Sequence, residues 1–569
     1  PPSELTYVLI DFKGGATSGA LAGLPHLVSV ATDLEPAGAR RIVASLRAVL
    51  RQREQLLAAA HARDISELTS PPARLVIVVD EFRALADDVP DALDQLVRLA
   101  AQGRSLGVHL ILATQRPGGA VTADMRANMP LRVALRTTES ADSHDLIGLD
   151  TASRLPRIPG RAVLLDGRPH TVQIAWTPDP ARTIAELTSQ LGGTPPAPPW
   201  LPPLPERVTL AECGGGIALL DRPDQLRRES FALPPSRLLV MGAHGAGLTT
   251  AARTCAAVAW LGGEEVWLVS AESWAGPGPG FGGTIHPRQT RLVQMAIAHA
   301  LARGGRIVID DVEDWYTAHD SLHGIGSAES VIERLLRSGG RAVLLTREMA
   351  PRWGRVVTSR IHLAGLDRAT AALAGLGREE QEMLQSAHAG RAVIGRLLAQ
   401  FALPEIAGLP APAPRLVRTF APLPETAPLA LKPGTICLGH DGVSQVRVPA
   451  GPLAVVGPRG SGRTETAQMI ASQLAGAVVL ESPPSGTAFP QEPFVATASP
   501  EGWASAFGGV LGNLKEHAPL LLLRPDLCPR VAQGIEDELE PGHPGYAILL
   551  DGGRARALRL ARLRANEGE

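Results

Sequence analysis

One short phrase is written along the chain at three places. Gly160-Arg-Ala-Val-Leu-Leu-Asp-Gly167, Gly390-Arg-Ala-Val-Ile-Gly395 and Gly545-Tyr-Ala-Ile-Leu-Leu-Asp-Gly552 each set a short apolar run between glycines. A phrase that recurs at such wide intervals marks tandem copies of one folding unit, and it limits the architecture more than any local propensity does. A second match supports the same reading. Ile217-Ala-Leu-Leu-Asp221 and Ile436-Cys-Leu-Gly-His-Asp441 each come before an apolar run and a glycine-rich loop, so the last two copies start alike as well as end alike.

Two proline-rich stretches, Pro195 to Pro205 and Leu409 to Pro424, separate the copies. Such stretches are stiff connectors that cannot continue a helix or a central strand. The expected division is a first segment over 1–176, a connector over 177–205, a second segment over 206–404, a connector over 405–424 and a third segment over 425–569. Within each segment, runs of Val, Ile and Leu alternate with alanine-rich stretches of helical period, for example Ala39 to Leu57 and Thr249 to Leu261. This predicts an α/β fold with mainly parallel sheets flanked by helices.

Composition removes several function classes. With 569 residues, 45% of them hydrophobic, there is ample material for several cores. The formal charge of -2, from 55 basic and 57 acidic side chains, argues against a chain dominated by non-specific attraction to phosphate backbones. Cys213, Cys255, Cys437 and Cys528 have no metal-ligand spacing, which reads as a reduced protein without a structural metal. No run approaches the roughly 18 apolar residues of a membrane-spanning helix. Tyr7 to Ile10 forms an apolar strand almost at once after Pro1, so the sequence is expected to be a fragment with an upstream part missing.

The glycine-rich loops point to phosphate. In the second segment Leu238-Leu-Val-Met-Gly-Ala-His-Gly-Ala-Gly-Leu-Thr-Thr250 places Gly242, Gly245 and Gly247 at P-loop spacing between a strand and a helix, with Thr249 at the magnesium position. Such loops use glycine so that backbone N–H groups can cradle phosphate, a lysine to reach the outer phosphates and a hydroxyl to hold Mg2+. Leu248 occupies the lysine position, so this loop keeps its shape without its charge. The third segment repeats the frame with Gly457, Gly460 and Gly462, then Arg463 at the lysine position and Thr464 at the magnesium position. An arginine fork does not simply replace a lysine, so binding is expected there and hydrolysis is not. The competing reading makes both loops inert turns inherited from an active ancestor, and for the Leu248 loop that reading is preferred.

The first segment has no such loop but has the best-formed acidic strand end, Leu75-Val-Ile-Val-Val-Asp80-Glu81. Asp80 can hold Mg2+ through water while Glu81 polarises the attacking water, and Gln115, after Val108 to Thr114, can act as a polar sensor on a neighbouring strand. The alternative is a strand running into a solvated acidic turn. Arg306-Ile-Val-Ile-Asp310-Asp311 is the second segment's version. In the third segment Leu520-Leu-Leu-Leu-Arg-Pro-Asp526 is the expected counterpart, with the acid pair gone.

Several blocks of the first segment together resemble the FtsK/SpoIIIE family: Asp11 to Thr17, Leu24-Pro-His-Leu27, Val79-Asp-Glu-Phe82, Gly103 to Leu110, Ala113-Thr-Gln-Arg-Pro117 and Asn128 to Val133. Three tandem modules and the form of the first block are similar to the EccC-like motors of type VII secretion, whereas Ala-Thr-Gln-Arg-Pro is shared with DNA translocases. The resemblance implies tandem RecA-like P-loop domains that form an ATPase using ATP and Mg2+, with Asp80 and Glu81 as the Walker B pair and Gln115 as sensor. It implies that Arg41 reaches a neighbouring subunit's nucleotide, and it places Arg132 and Arg136 in a matching stretch. For each of these arginines a solvated face is the alternative. It further implies a ring oligomer, a hexamer in such motors, at the cytoplasmic face of the bacterial membrane, with a membrane anchor and the first Walker A loop upstream. Its cargo would be helical-hairpin secretion substrates or double-stranded DNA. A non-hydrolytic binding scaffold is the competing class.

Overall fold

The computed structural model describes residues 1–11, 19, 21, 23–32, 36–191, 196–348, 356–357, 359–385, 387–413, 417–420, 422–535, 538–540 and 545–562. They form two compact units: Pro1–Leu204 with Leu220–Glu229 and Gly377–Met383, and Pro205–Leu219 with Ser230–Leu376 and Leu384–Glu569. No helix among the described residues is long and apolar enough to cross a membrane.

In the first unit, β1 (Leu5–Asp11), β2 (Leu27–Thr32), β3 (Arg74–Asp80) and β4 (Val108–Leu112) make a parallel sheet in the order β2-β1-β3-β4. Apolar side chains of β1 and β3 are buried with Ile42, Leu46, Val49 and Leu50 of the helix Pro36–Ala60 and with Leu93 and Leu96 of the helix Pro90–Gly103. Continuous apolar strands fit this arrangement because helices, not water, face them. A second, antiparallel sheet holds β5 (Arg132–Leu135), β6 (Arg161–Asp166) and β7 (Arg168–Gln173). Residues 180–191, inside the interval expected to be a connector, form the helix Pro180–Leu191. Helix formation is possible there because the prolines that forbid it begin only at Pro195.

The second unit contains two sheets. Its first holds β8 (Val208–Thr209), β11 (Arg237–Met241), β12 (Val266–Val269), β13 (Thr284–Ile285), β14 (Arg306–Ile309), β15 (Arg341–Thr346), β16 (Arg360–Leu363), β17 (Arg391–Ile394) and β18 (Leu397–Leu403); β9 (Ala218–Arg222) and β10 (Arg227–Phe231) lie in the chain between β8 and β11. The central order is β18-β17-β16-β11-β15-β14-β12-β13, antiparallel from β16 to β18 and parallel from β16 to β13. The other sheet holds β19 (Ala427–Pro428), β20 (Thr435–His440), β21 (Gln445–Pro449), β22 (Leu453–Val456), β23 (Val478–Glu481), β24 (Phe494–Ala498), β25 (Leu520–Leu523), β26 (Tyr546–Asp551) and β27 (Arg554–Arg562), in the order β21-β20-β27-β26-β25-β22-β24-β23.

The repeated phrase is β6, β17 and β26. Each starts after a left-handed glycine, Gly160, Gly390 or Gly545, and each pairs antiparallel with the strand before it. From these anchors the three segments align strand by strand. β5, β16 and β25 take equivalent places, β11 and β22 carry the glycine-rich loops, and β4, β15 and β24 match. β3, β14 and β23 lie beyond those.

The core of the second segment contains a buried polar network. His319 stacks near Trp315 and His323, its Nε2 lies 2.6 Å from the Gln294 amide, and its Nδ1 lies 3.0 Å from Ser327 Oγ, which donates to Asp320. Burial, with His323 close by, pushes the imidazole down to about 4 from its usual 6.5. Because the folded state holds the ring neutral, stability should be full above pH 6.5 and fall as the pH drops toward 4, by about 3 kcal/mol from this group. Urea unfolding at pH 7 and pH 4 should show that loss, and His319→Gln should reduce the difference. An equal loss in the variant would rule this network out as its source.

Candidate functional site

In the first segment the carboxyl ends of β1, β3 and β4 meet at one sheet edge, where open α/β sheets bind ligands. Asp11 pairs in register with Asp80, both at strand ends, and Asp11 is buried. Glu81, the next residue, is 5% exposed and adopts a left-handed backbone with φ 56°. A non-glycine residue holds that conformation only when its surroundings enforce it. Here the Phe82 N–H donates to the Ala113 carbonyl at 2.9 Å, the Thr114 hydroxyl donates to Glu81 Oε1 at 2.8 Å, and the Gln115 N–H points at Oε2 from 3.4 Å. Glu81 therefore clamps the end of β4, bringing Asp80, Glu81 and Gln115 together as the sequence pattern anticipates.

The arginines behave differently. Arg41 gives its guanidinium to Asp221, with Nε 2.5 Å from Oδ2, and to the carbonyls of Leu201 and Pro202 at 3.0 Å. Arg40 pairs with Glu382 on the same helix face. Arg132 donates to the Leu146 carbonyl at 3.2 Å and Arg136 to that of Leu155 at 3.1 Å, so their recorded bonds run to nearby backbone. Residues 12–18, which complete the first family-like block, lie outside the described residues.

Both glycine-rich loops have the same backbone. Gly245 and Gly247 have φ of 80° and 96°, Gly460 and Gly462 of 78° and 82°. Paired left-handed glycines turn consecutive N–H groups toward one point, at the start of the helices Leu248–Leu261 and Arg463–Ala471. The first glycine of each loop sits against the equivalent neighbouring strand: a Cβ on Gly242 would lie 2.8 Å from that of Leu363, and one on Gly457 2.9 Å from that of Leu523.

In the second segment Asp310 is buried and accepts from Thr249 and from Ser270 Oγ at 2.9 Å. Burial raises its pKa against those two bonds. Asp311 repeats the left-handed backbone of Glu81, with φ 53°. It does not clamp the strand end. Glu313 does so instead, accepting from the Thr346 hydroxyl and from the N–H groups of Arg347 and Glu348 at 3.0 Å.

The third segment corrects one expectation. β25, the strand of Leu520 to Leu523, pairs in parallel with β22 and antiparallel with β26, as β16 does with β11 and β17. It is thus not the counterpart of the acidic strand. That place belongs to β23, where Glu481 pairs with Thr497 as Asp80 would face Ala113, and the following Ser482 has φ 44°. Glu481 and Ser482 take the positions of Asp80 and Glu81. The sequence reading missed them because a strand ending in one acid, directly after the loop-bearing helix, looks like an ordinary second strand. A left-handed serine is invisible in sequence. A cavity of about 300 Å³ lies at this edge, lined by Ser482, Ser485, Ser499 and Phe507 among others. Among the described residues, buried Arg463 Nη1 and Ser461 Oγ have no hydrogen-bond partner, which fits a loop shaped for an anionic ligand.

The profile of the FtsK/SpoIIIE family matches residues 1–72. The type VII secretion system protein EssC of Staphylococcus aureus is 35% identical over 188 residues, 31% of this chain. The start of the first segment is thus similar to the FtsK/SpoIIIE family. The match spans only 13% of EssC, so most of that relative lies outside it. The cytoplasmic domain of the Thermomonospora curvata type VII secretion ATPase EccC has the same fold, with a TM-score of 0.69 over 99% of this chain and 90% of its own at 19% identity. The structure of ATPases 2 and 3 of that EccC in complex with a signal sequence peptide matches 71% of this chain and 83% of its own, at 19% identity and a TM-score of 0.52. The chain thus shares the fold of the EccC cytoplasmic domain.

Proposed function

We propose that this chain is part of an EccC-like motor that drives type VII protein secretion by ATP hydrolysis. In this reading the first segment carries the chemistry, and the other two hold nucleotide without turning it over. The observation that carries it is the comparison of equivalent positions: Asp80 and Glu81 in the first segment become Asp310 and Asp311 in the second and Glu481 and Ser482 in the third. Only the first has a glutamate at the second of these positions, where its longer arm would reach beyond the strand end to orient water. Asp80 would hold Mg2+ through water, Glu81 would orient the attacking water, and Gln115 would report on the phosphate. Bound Mg·ATP supplies the phosphoanhydride whose cleavage releases the energy. Gly242, Gly245, Gly247, Thr249 and Asp310 would hold nucleotide in the second segment, as Gly457, Gly460, Gly462, Arg463 and Thr464 would in the third, with Thr249 and Thr464 at the metal. The alternative of an inert second loop loses ground because its glycines keep the conformation of the third.

We further propose that the first site is incomplete until a loop-bearing strand enters between β4 and β5. Their equivalents β15 and β16 both pair with β11, whereas among the described residues β4 and β5 lie in separate sheets with no strand between them. Ile111 on β4 and Val133 and Leu135 on β5 are exposed, as residues beside such a vacancy would be. A ring oligomer, a hexamer by analogy, at the cytoplasmic face of the membrane is the assembly this reading calls for.

The signal sequence peptide in the EccC complex favours protein cargo. A small helical-hairpin secretion substrate should therefore stimulate ATP turnover by the chain joined to its loop-bearing strand. Stimulation by double-stranded DNA alone would instead identify a DNA translocase, and absence of any turnover would favour the binding scaffold.

A further inference from the structure

The second segment's loop lacks a cation, because Leu248 stands where the third has Arg463. A cation does reach the same sheet edge from another strand. β11 and β15 end in register at Met241 and Thr346, and the Gly242 N–H donates to the Thr346 carbonyl at 3.2 Å. Arg347, the next residue, thus leaves the sheet beside the first glycine of the loop. It occupies the position of Gln115 in the first segment and Ser499 in the third.

Three features prepare Arg347 for an anion. Its backbone is fixed by Glu313, which takes the N–H groups on either side of the bond to Glu348. Its guanidinium donates to Asp311 Oδ1 at 2.9 Å, so it already lies at the edge where the first segment keeps Glu81. The side chain remains 41% exposed. An ion pair in such a place contributes little and exchanges readily for a ligand of higher charge. A guanidinium fork, moreover, binds phosphate oxygens in pairs.

We propose that Arg347 is the phosphate-binding cation of the second segment, replacing the lysine that the loop lacks, and that Asp311 is its partner when no nucleotide is bound. This rests on the reading that the second segment binds nucleotide. It gives Asp311 a role distinct from that of Glu81: the carboxylate is held by an arginine and competes with phosphate for it. Retention of nucleotide without turnover follows from the same pair.

The test uses the full chain carrying Arg463→Ala, which silences the third loop, titrated with a fluorescent ATP analogue and Mg2+. Loss of the charged hydrogen bonds in Arg347→Ala should weaken binding about 10- to 100-fold. Arg347→Lys should lose less, Leu248→Lys should restore binding to Arg347→Ala, and Asp311→Asn should tighten it. The preference for ATP over AMP should shrink in Arg347→Ala, a change that a purely structural role would not produce. Unchanged affinity in Arg347→Ala, or no rescue by Leu248→Lys in a variant that unfolds like its parent, overturns the proposal. If the Arg463→Ala chain binds no nucleotide at all, the underlying reading of the second segment fails, a result distinct from binding that ignores Arg347.

Discussion

Glu81→Gln, placed in the chain joined to its loop-bearing strand, is expected to lower ATP turnover about 10²- to 10⁴-fold, the range supplied by a positioned general base. Glutamine has nearly the same shape, so its carbonyl oxygen can still accept from Thr114 and keep that half of the clamp on β4, while the weaker contact from the Gln115 N–H is lost. What it loses is the negative charge and basicity that orient water. Nucleotide affinity should therefore stay within a few-fold while the rate collapses, and the two quantities measured together separate a chemical role from a packing role. Turnover that survives the substitution would remove Glu81 from the mechanism and return the first segment to a binding scaffold.

The largest effect on stability is expected from Arg291. It lies in the first turn of the helix Thr290–Arg303, where a positive charge opposes the helix dipole, and it is 5% exposed. The reason lies in the third segment: Arg291 Nε donates to Glu540 Oε1 at 3.0 Å, Glu538 lies 3.8 Å away, and the neighbouring Thr290 hydroxyl donates to the Leu539 carbonyl at 3.1 Å. Arg291→Ala would take from buried Glu540 the guanidinium it pairs with, at a cost of about 3–5 kcal/mol. Replacing both partners by apolar residues, Arg291→Met with Glu540→Leu, should recover most of that loss, since a buried pair adds little net stability over a well-packed apolar substitute. A double-mutant cycle by urea unfolding measures the coupling. Independent, additive losses would show that the two segments are not joined through this pair.

Much of this arrangement is legible in the sequence, for identifiable reasons. The apolar run of Leu75 to Val79 ending in Asp80-Glu81 reads as a strand, and β3 is that strand. Glycines at loop spacing before Thr249 and Thr464 specify the left-handed turns of both loops, because only glycine takes that backbone without strain. The repeated phrase from Gly160, Gly390 and Gly545 marks equivalent strands, since an antiparallel return after a left-handed glycine needs those residue types. Other features have no local signature. The partnership of Arg41 with Asp221, the substitution of Glu313 for Glu81 as the clamp, and the equivalence of Glu481 with Asp80 all depend on which strand lies beside which. Leu520 to Asp526 misleads for the same reason: its composition suits an acidic strand, and only its pairing with β22 and β26 places it elsewhere.

Strand-and-helix alternation and its repetition are therefore legible in the chain, because backbone periodicity and glycine conformation are properties of neighbouring residues. The tertiary structure alone decided which polar groups meet. Strand order brings residues far apart in the chain within hydrogen-bond reach, and it gave Asp311 an arginine partner where Glu81 has a threonine and a backbone amide.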